Sequence, residues 1–112
     1  MKHLAFLALA LLALLLSACA GGAAAGSADG RLTVVTTTGQ IGDTARIVAG
    51  DHVRVLSLMG PGTDPHLYVA GISDVDKLRG ADVVFYNGLF LEAQMDAVLE
   101  QLAERQPVVA VS

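Results

Sequence analysis

Between Arg31 and Ser112 four short aliphatic runs alternate with three helix-like segments, and this order constrains the fold more than any other feature. "RLTVVTT" (31–37), "VRVLSLM" (53–59), "ADVVFYN" (81–87) and "PVVAV" (107–111) have the β-branched, aliphatic character of strands. "QIGDTARIVAG" places Ile41, Ala45 and Val48 on one helical face and offers Gly50 as its stop. "SDVDKL" opens on Ser73 with Asp76 three residues later, the spacing of a capping box. The last and longest helix is expected over about 89–105, with Leu91, Met95, Val98, Leu99 and Leu102 on its buried face.

Strand, helix, strand, helix, strand, helix, strand predicts an α/β fold: a parallel β-sheet with flanking helices and right-handed crossovers. The uninterrupted apolar runs Val83 to Tyr86 and Val108 to Val111 suit strands covered on both faces. Sites in such folds gather at the carboxyl ends of the strands. "TTTGQIGD", "GPGTDPH" and "YNGLF" all fall there. The sequence stops just after an apolar strand, an exposed β-edge of the kind that proteins usually cover. That points to a piece of a larger protein.

Ahead of the first strand the pattern differs. Lys2 precedes an unbroken apolar run, Leu4 to Leu16, and small residues follow. Those 13 apolar residues would span only about 20 Å at 1.5 Å each, too short to cross a bilayer. The layout is that of a secretory signal peptide over residues 1–18. Cys19, the single cysteine, ends "LSAC", which is similar to the signal of bacterial lipoproteins, whose cysteine is acylated and becomes the mature N-terminus. In an exported chain a lone cysteine has no internal disulfide partner, which favours the lipid reading. Acyl chains stabilise membrane attachment by roughly 0.8 kcal/mol per buried CH2. Residues 19–30, "CAGGAAAGSADG", lack periodicity and read as a flexible tether. The folded part is then 31–112.

Several function classes fall away. A net charge of −4 with scattered Arg and Lys makes no basic stripe, so no nucleic-acid partner is expected. "TTTGQIGDTA" follows a strand and opens a helix as a dinucleotide-binding turn does, yet it has only Gly39 and Gly42 of the three-glycine fingerprint. Met59 and Gly60 stand where a ribose-binding acid is expected. Ser57 and the threonines have no histidine nearby in sequence to form a triad. No enzyme is expected. Glu92, Asp96, Glu100 and Glu104 recur every four residues, the pattern of a solvated helix face.

His66 stands apart. The stretch "MGPGTDPHLYVAG" surrounds it with three glycines and two prolines. Neutral imidazole is the commonest side-chain ligand of transition metals. Pro61 and Pro65 restrict the backbone on both sides and lower the entropy cost of holding a ligand in place. Asp64 has two readings: a hydrogen bond that fixes the imidazole tautomer, or a turn-forming Asp before Pro. Asn87, at the end of the third strand, is a second candidate to support the site. His52 sits at a helix-to-strand turn and reads as solvated, and His3 leaves with the signal peptide.

Taken together, "VVTTTGQIGDTARIVAGDHVRVLSLMGPGTDPHLY" and "ADVVFYNGLFLE" resemble the zinc- and manganese-binding lipoproteins of bacterial ABC importers, some of them once described as adhesins. The similarity runs from about Leu32 to Ser112. The pairing of G-x-D-P-H-x-Y with A-D-x-V-x-Y-N-G-x-x-L-E carries it. Family loops often continue after the tyrosine with Glu-Pro, where Val69 and Ala70 stand here. The resemblance implies a fold of two β/α lobes, of which this chain holds most of the first. It implies that His66 is the first metal ligand, with the other ligands beyond Ser112. It implies capture of Zn2+ or Mn2+ outside the cytoplasmic membrane and delivery to a permease driven by an ATPase, from a lipid anchor on Cys19. Two other readings stand beside it: a remnant without transport function, or an adhesin-like binding lipoprotein of the same fold. One imidazole does not make a tight site, so residues 20–112 alone are expected to bind metal weakly. Protons compete for a ligating imidazole, so affinity is expected to fall as pH drops below about 6.5.

Overall fold

The β-branched run at the start of the folded part forms β1 (Leu32–Thr36), and three more strands align parallel with it. A computed structural model describes residues 29–112. The signal peptide read over 1–18, His3, Cys19 and all but the last two residues of the tether lie outside the described residues. Of those two, Asp29 accepts a 2.7 Å hydrogen bond from Arg31 Nε.

The elements follow the expected alternation. After β1 come α1 (Gly39–Ala49), a 3-10 turn (Gly50–His52) and β2 (Val53–Ser57). Then come α2 (Ile72–Arg79), β3 (Val83–Tyr86), a second 3-10 turn (Ala93–Met95), α3 (Asp96–Ala103) and β4 (Val108–Ala110). The sheet order is β2-β1-β3-β4, all parallel. Connections from β1 and from β3 run to opposite sides, so the order reverses between β1 and β3. In open α/β sheets that switch point is where ligand crevices form.

The two faces of the sheet are built differently. Val35 and Val84 point to the face where Leu78 of α2, Met95, and Leu99 and Leu102 of α3 complete a buried aliphatic cluster. Burial of such side chains contributes roughly 1.5–3 kcal/mol each. On the other face α1 lies close against hydroxyls. A Cβ on Gly42 would stand 2.1 Å from Ser57 Oγ and 2.9 Å from Thr36 Oγ1, so only glycine permits this approach. Thr36 Oγ1 donates to Ser57 Oγ at 3.0 Å across the register pair that joins β1 to β2.

Four expectations are corrected. Val48 does not join Ile41 and Ala45 on the packed face of α1: Ile41 and Ala45 are half-buried, Val48 is 81% exposed, and Gly42 is the helix's one buried residue. The reason is steric, because a hydroxyl-lined sheet leaves room for glycine only. α2 begins at Ile72 rather than Ser73, and its reciprocal cap is Gly71 with Asp74, not Ser73 with Asp76. The Asp74 carboxylate accepts from the Gly71 N–H at 3.1 Å. The last helix does not start near Leu89, since Leu89 and Phe90 have φ of 51° and 62°, outside right-handed helix. Finally, Glu92 is not on a solvated face; it is 1% exposed, whereas Glu100 and Glu104 are exposed.

Candidate metal centre

Two loops leave the carboxyl end of the sheet and meet across one cavity. It is about 630 Å3 in volume, and its lining includes Thr38, Ser57, Met59, Pro65, Asn87 and Leu91. It is therefore walled by the exits of β1, β2 and β3, as the topology predicts.

The first loop carries His66. β2 keeps bonding to the exit of β1 past its last strand residue: Leu58 N–H donates to Thr36 O and Met59 N–H to Thr37 O, both at 2.9 Å. This anchors the loop's start, and Met59 is buried. Tight turns follow, with Thr63 N–H on Gly60 O and Gly62 at φ 80°, a conformation that suits glycine. Asp64 Oδ1 accepts the backbone N–H of His66 at 2.9 Å, the turn-forming role anticipated for an Asp before Pro. The His66 side chain is exposed, and no described residue hydrogen-bonds to its ring.

The far end of this loop is pinned to α2. Tyr68 Oη donates to Asp74 Oδ2 at 2.7 Å, and Lys77 Nζ donates to Asp74 Oδ1 at 3.0 Å. Burial pushes the Tyr68 phenol up to about 12, helped by the Asp74 carboxylate beside it. For Asp74, burial works against the charged form. The bonds from Tyr68, Lys77 and Gly71 outweigh it and hold the carboxyl below its ordinary 3.8. Asp74 is a structural residue that sequence reasoning missed; its signal was its place three residues after Gly71, in the first turn of α2.

The second loop, 87–92, is held from beneath. Glu92 Oε1 accepts from Thr37 Oγ1 at 2.6 Å and from Asn87 N–H at 2.7 Å, and Oε2 accepts from Gly88 N–H at 3.2 Å. Above this carboxylate the backbone runs through Gly88, Leu89 and Phe90, all with positive φ. Left-handed backbone costs a non-glycine residue about 1–2 kcal/mol, so these contacts must over-determine it. Asn87 itself donates from Nδ2 to Gly88 O at 3.1 Å. Leu89 and Phe90 are 82% and 79% exposed.

The structure thus brings Asn87 and the His66 loop to one cavity, through Pro65. It places Asp64 beside His66 at the backbone. Among the described residues, no group of three His, Cys, Asp or Glu side chains is placed to hold a metal ion. Among the described residues, His66 alone offers an imidazole at this end of the sheet, and tight zinc sites take three or four protein ligands.

Comparison with known proteins agrees with this geometry. Residues 34–112 match the family described as ZnuA, zinc-uptake complex component A, periplasmic. The chain is 50% identical over 97 residues to the manganese-binding lipoprotein MntA of Bacillus subtilis, covering 87% of this chain and 32% of that protein. It is 49% identical over 86 residues to the zinc-binding protein TroA of Treponema pallidum, covering 77% and 28%. The solved structure of periplasmic zinc-binding TroA superposes with a TM-score of 0.72 at 48% identity, covering 73% of this chain and 30% of that one. The chain spans about a third of the length of the curated relatives it matches.

Proposed function

The chain belongs to the family of periplasmic zinc-uptake components, and on that footing we propose that it is part of an extracytoplasmic metal-capture subunit of an ABC importer. The ion, Zn2+ or Mn2+, is cargo: it is bound, carried and released, and no bond is made or broken in it. The relatives support both ions, since one is named as manganese-binding and another as zinc-binding. Delivery is to a membrane permease with its ATPase. Cys19 carries the lipid anchor, on the extracytoplasmic side of the membrane, with residues 1–18 as signal peptide and 19–30 as tether.

The observation that carries this reading is the exposed imidazole of His66 on a loop stiffened at both ends, beside a cavity at the sheet's carboxyl end. We assign His66 as a metal ligand through a ring nitrogen, with Asp64 and Asn87 supporting the site around it. The remaining ligands come from outside residues 31–112, in a second lobe that closes over this end of the sheet. Exposed Leu67, Val69, Leu89 and Phe90 stand on the two loops there and suit contact with such a lobe.

The test is a calorimetric titration of the 112-residue chain with Zn2+ and with Mn2+, alongside ring-nitrogen NMR of His66. The expected result is weak binding that shifts the His66 ring and vanishes in His66→Ala. Sub-micromolar 1:1 binding would overturn the assignment of the other ligands to a second lobe outside residues 31–112. Binding unchanged in His66→Ala would remove His66 from the site.

A further inference from the structure

We propose that Glu92 is a positioning residue for the metal end of the sheet: it fills the switch-point crevice between β1 and β3 and so fixes Asn87 in the wall of the cavity that the His66 loop also lines. The inference rests on the metal-capture reading of that cavity.

Its first support is location. Thr37 follows β1 and Asn87 follows β3, and these are the two strands between which the sheet order reverses. In related topologies that crevice stays open for a ligand. Here one carboxylate occupies it, 1% exposed, and bonds to both strand exits at once. The cavity beside it is lined by the start of α1, the exits of β2 and β3 and the His66 loop.

Its second support is chemistry. All three groups facing the carboxyl oxygens are donors: one hydroxyl and two backbone N–H groups. A carboxylate is acceptor-only and satisfies them together. Glutamine, of the same shape, would turn an NH2 toward at least one N–H or O–H. No hydrophobic side chain could satisfy any of them.

Its third support is backbone conformation. Gly88, Leu89 and Phe90 take positive φ in succession directly between Asn87 and Glu92. Two of the three are not glycine, so the segment needs an external constraint to stay there. The bonds from Asn87 and Gly88 to Glu92 supply it by closing the turn on itself. The sharp reversal leaves Asn87 lining the cavity while Leu89 and Phe90 point to solvent.

The experiment uses the isotope-labelled 112-residue chain as wild type, Glu92→Gln and Thr37→Val, with Glu100→Gln as an exposed-acid control. Amide exchange at Asn87 and Gly88 is compared with that at Val35 and Val84, and Zn2+ is titrated while the His66 ring and the Asn87 amide are followed. In Glu92→Gln the Asn87 and Gly88 amides should exchange about tenfold faster, with Val35 and Val84 within about twofold of wild type. Thr37→Val should give a smaller change of the same pattern, and Glu100→Gln none. Zn2+ should move both His66 and Asn87 signals in wild type, and His66 alone in Glu92→Gln. The proposal is overturned if Asn87 and Gly88 lose no more protection than Val35 and Val84 in both variants. It is equally overturned if Zn2+ moves His66 but never Asn87 in wild type. A wild-type His66 ring that ignores Zn2+ overturns the metal reading instead, and the exchange data still judge the turn.

Discussion

The His66 loop and the 87–92 turn leave the same end of one sheet and wall the same cavity, yet they are held by opposite means. The first is stiffened along its own length, by Pro61, Pro65 and the Asp64 turn, and is tied down at its far end by Asp74. The His66 side chain stands clear of these supports. The second has no proline, and its shape depends on one buried carboxylate that is also part of the core's upper boundary. A loop braced along its backbone can expose a reactive group and lose it without consequence for the fold. A turn braced by a buried side chain cannot change that side chain without changing itself.

The contrast is broken most forcefully at Glu92. Glu92→Ala leaves the Thr37 hydroxyl and the Asn87 and Gly88 N–H groups without their acceptor, facing a void. Each buried unsatisfied donor costs about 1–3 kcal/mol, and water entering the void recovers some of that, so a loss of roughly 3–5 kcal/mol is expected in urea unfolding. A loss below about 1 kcal/mol would mean that the turn, like the His66 loop, supports itself.

This residue also marks where the sequence stopped being legible. The four strands, their parallel alignment and the core positions Met95, Leu99 and Leu102 were readable because aliphatic runs and helical spacing report burial directly, while the order β2-β1-β3-β4 was not. The His66 loop was readable because prolines and glycines state backbone conformation in their own chemistry. Glu92 was hidden by the acids that follow it at four-residue intervals, which made one apparent face. Where a helix starts decides which side of it a residue occupies, and α3 starts at Asp96 because Gly88 to Phe90 run left-handed. The only local sign of that was Asn87-Gly88, a turn-forming pair inside an apolar stretch. Gly42 was missed for a related reason: helical spacing pointed to Val48, and nothing in α1 itself records the Thr36 and Ser57 hydroxyls it must approach.

Asp74 gives the next largest effect, now on the braced loop. Its carboxyl sits below the ordinary 3.8, so its bonds to Tyr68, Gly71 and Lys77 contribute in full above that pH. They are lost as pH falls below it, through the folded value. Acidification should therefore release the loop's far end, seen as movement of the Gly71 amide signal and loss of its protection. Asp74→Asn should remove that acid transition and cost roughly 1–2 kcal/mol at neutral pH. An acid transition that persists in Asp74→Asn would assign it to another carboxyl.

A smaller change is expected at Asp64, which shapes the loop from an exposed position with one bond to the His66 N–H. Asp64→Ala should cost about 0.5–1 kcal/mol, because Pro61 and Pro65 still limit the backbone. If Asp64 also orients the imidazole once metal is bound, Asp64→Asn should keep the stability and weaken the Zn2+ response of the His66 ring. Equal Zn2+ responses in wild type and Asp64→Asn would confine Asp64 to the turn.

The sharpest form of the comparison is the smallest effect on stability. His66→Ala removes an exposed ring that no described residue hydrogen-bonds, so unfolding in urea should change by less than about 0.5 kcal/mol. The same substitution should abolish the Zn2+ response of the Asn87 amide, although Asn87 belongs to the other loop. Stability and metal response would then separate completely at His66, whereas at Glu92 they change together. That separation would suit the proposed capture site: a ligand that carries no share of the fold could bind and release an ion without unsettling the sheet beneath it. A His66→Ala protein destabilised by more than about 1 kcal/mol would place the imidazole in the fold's own support instead.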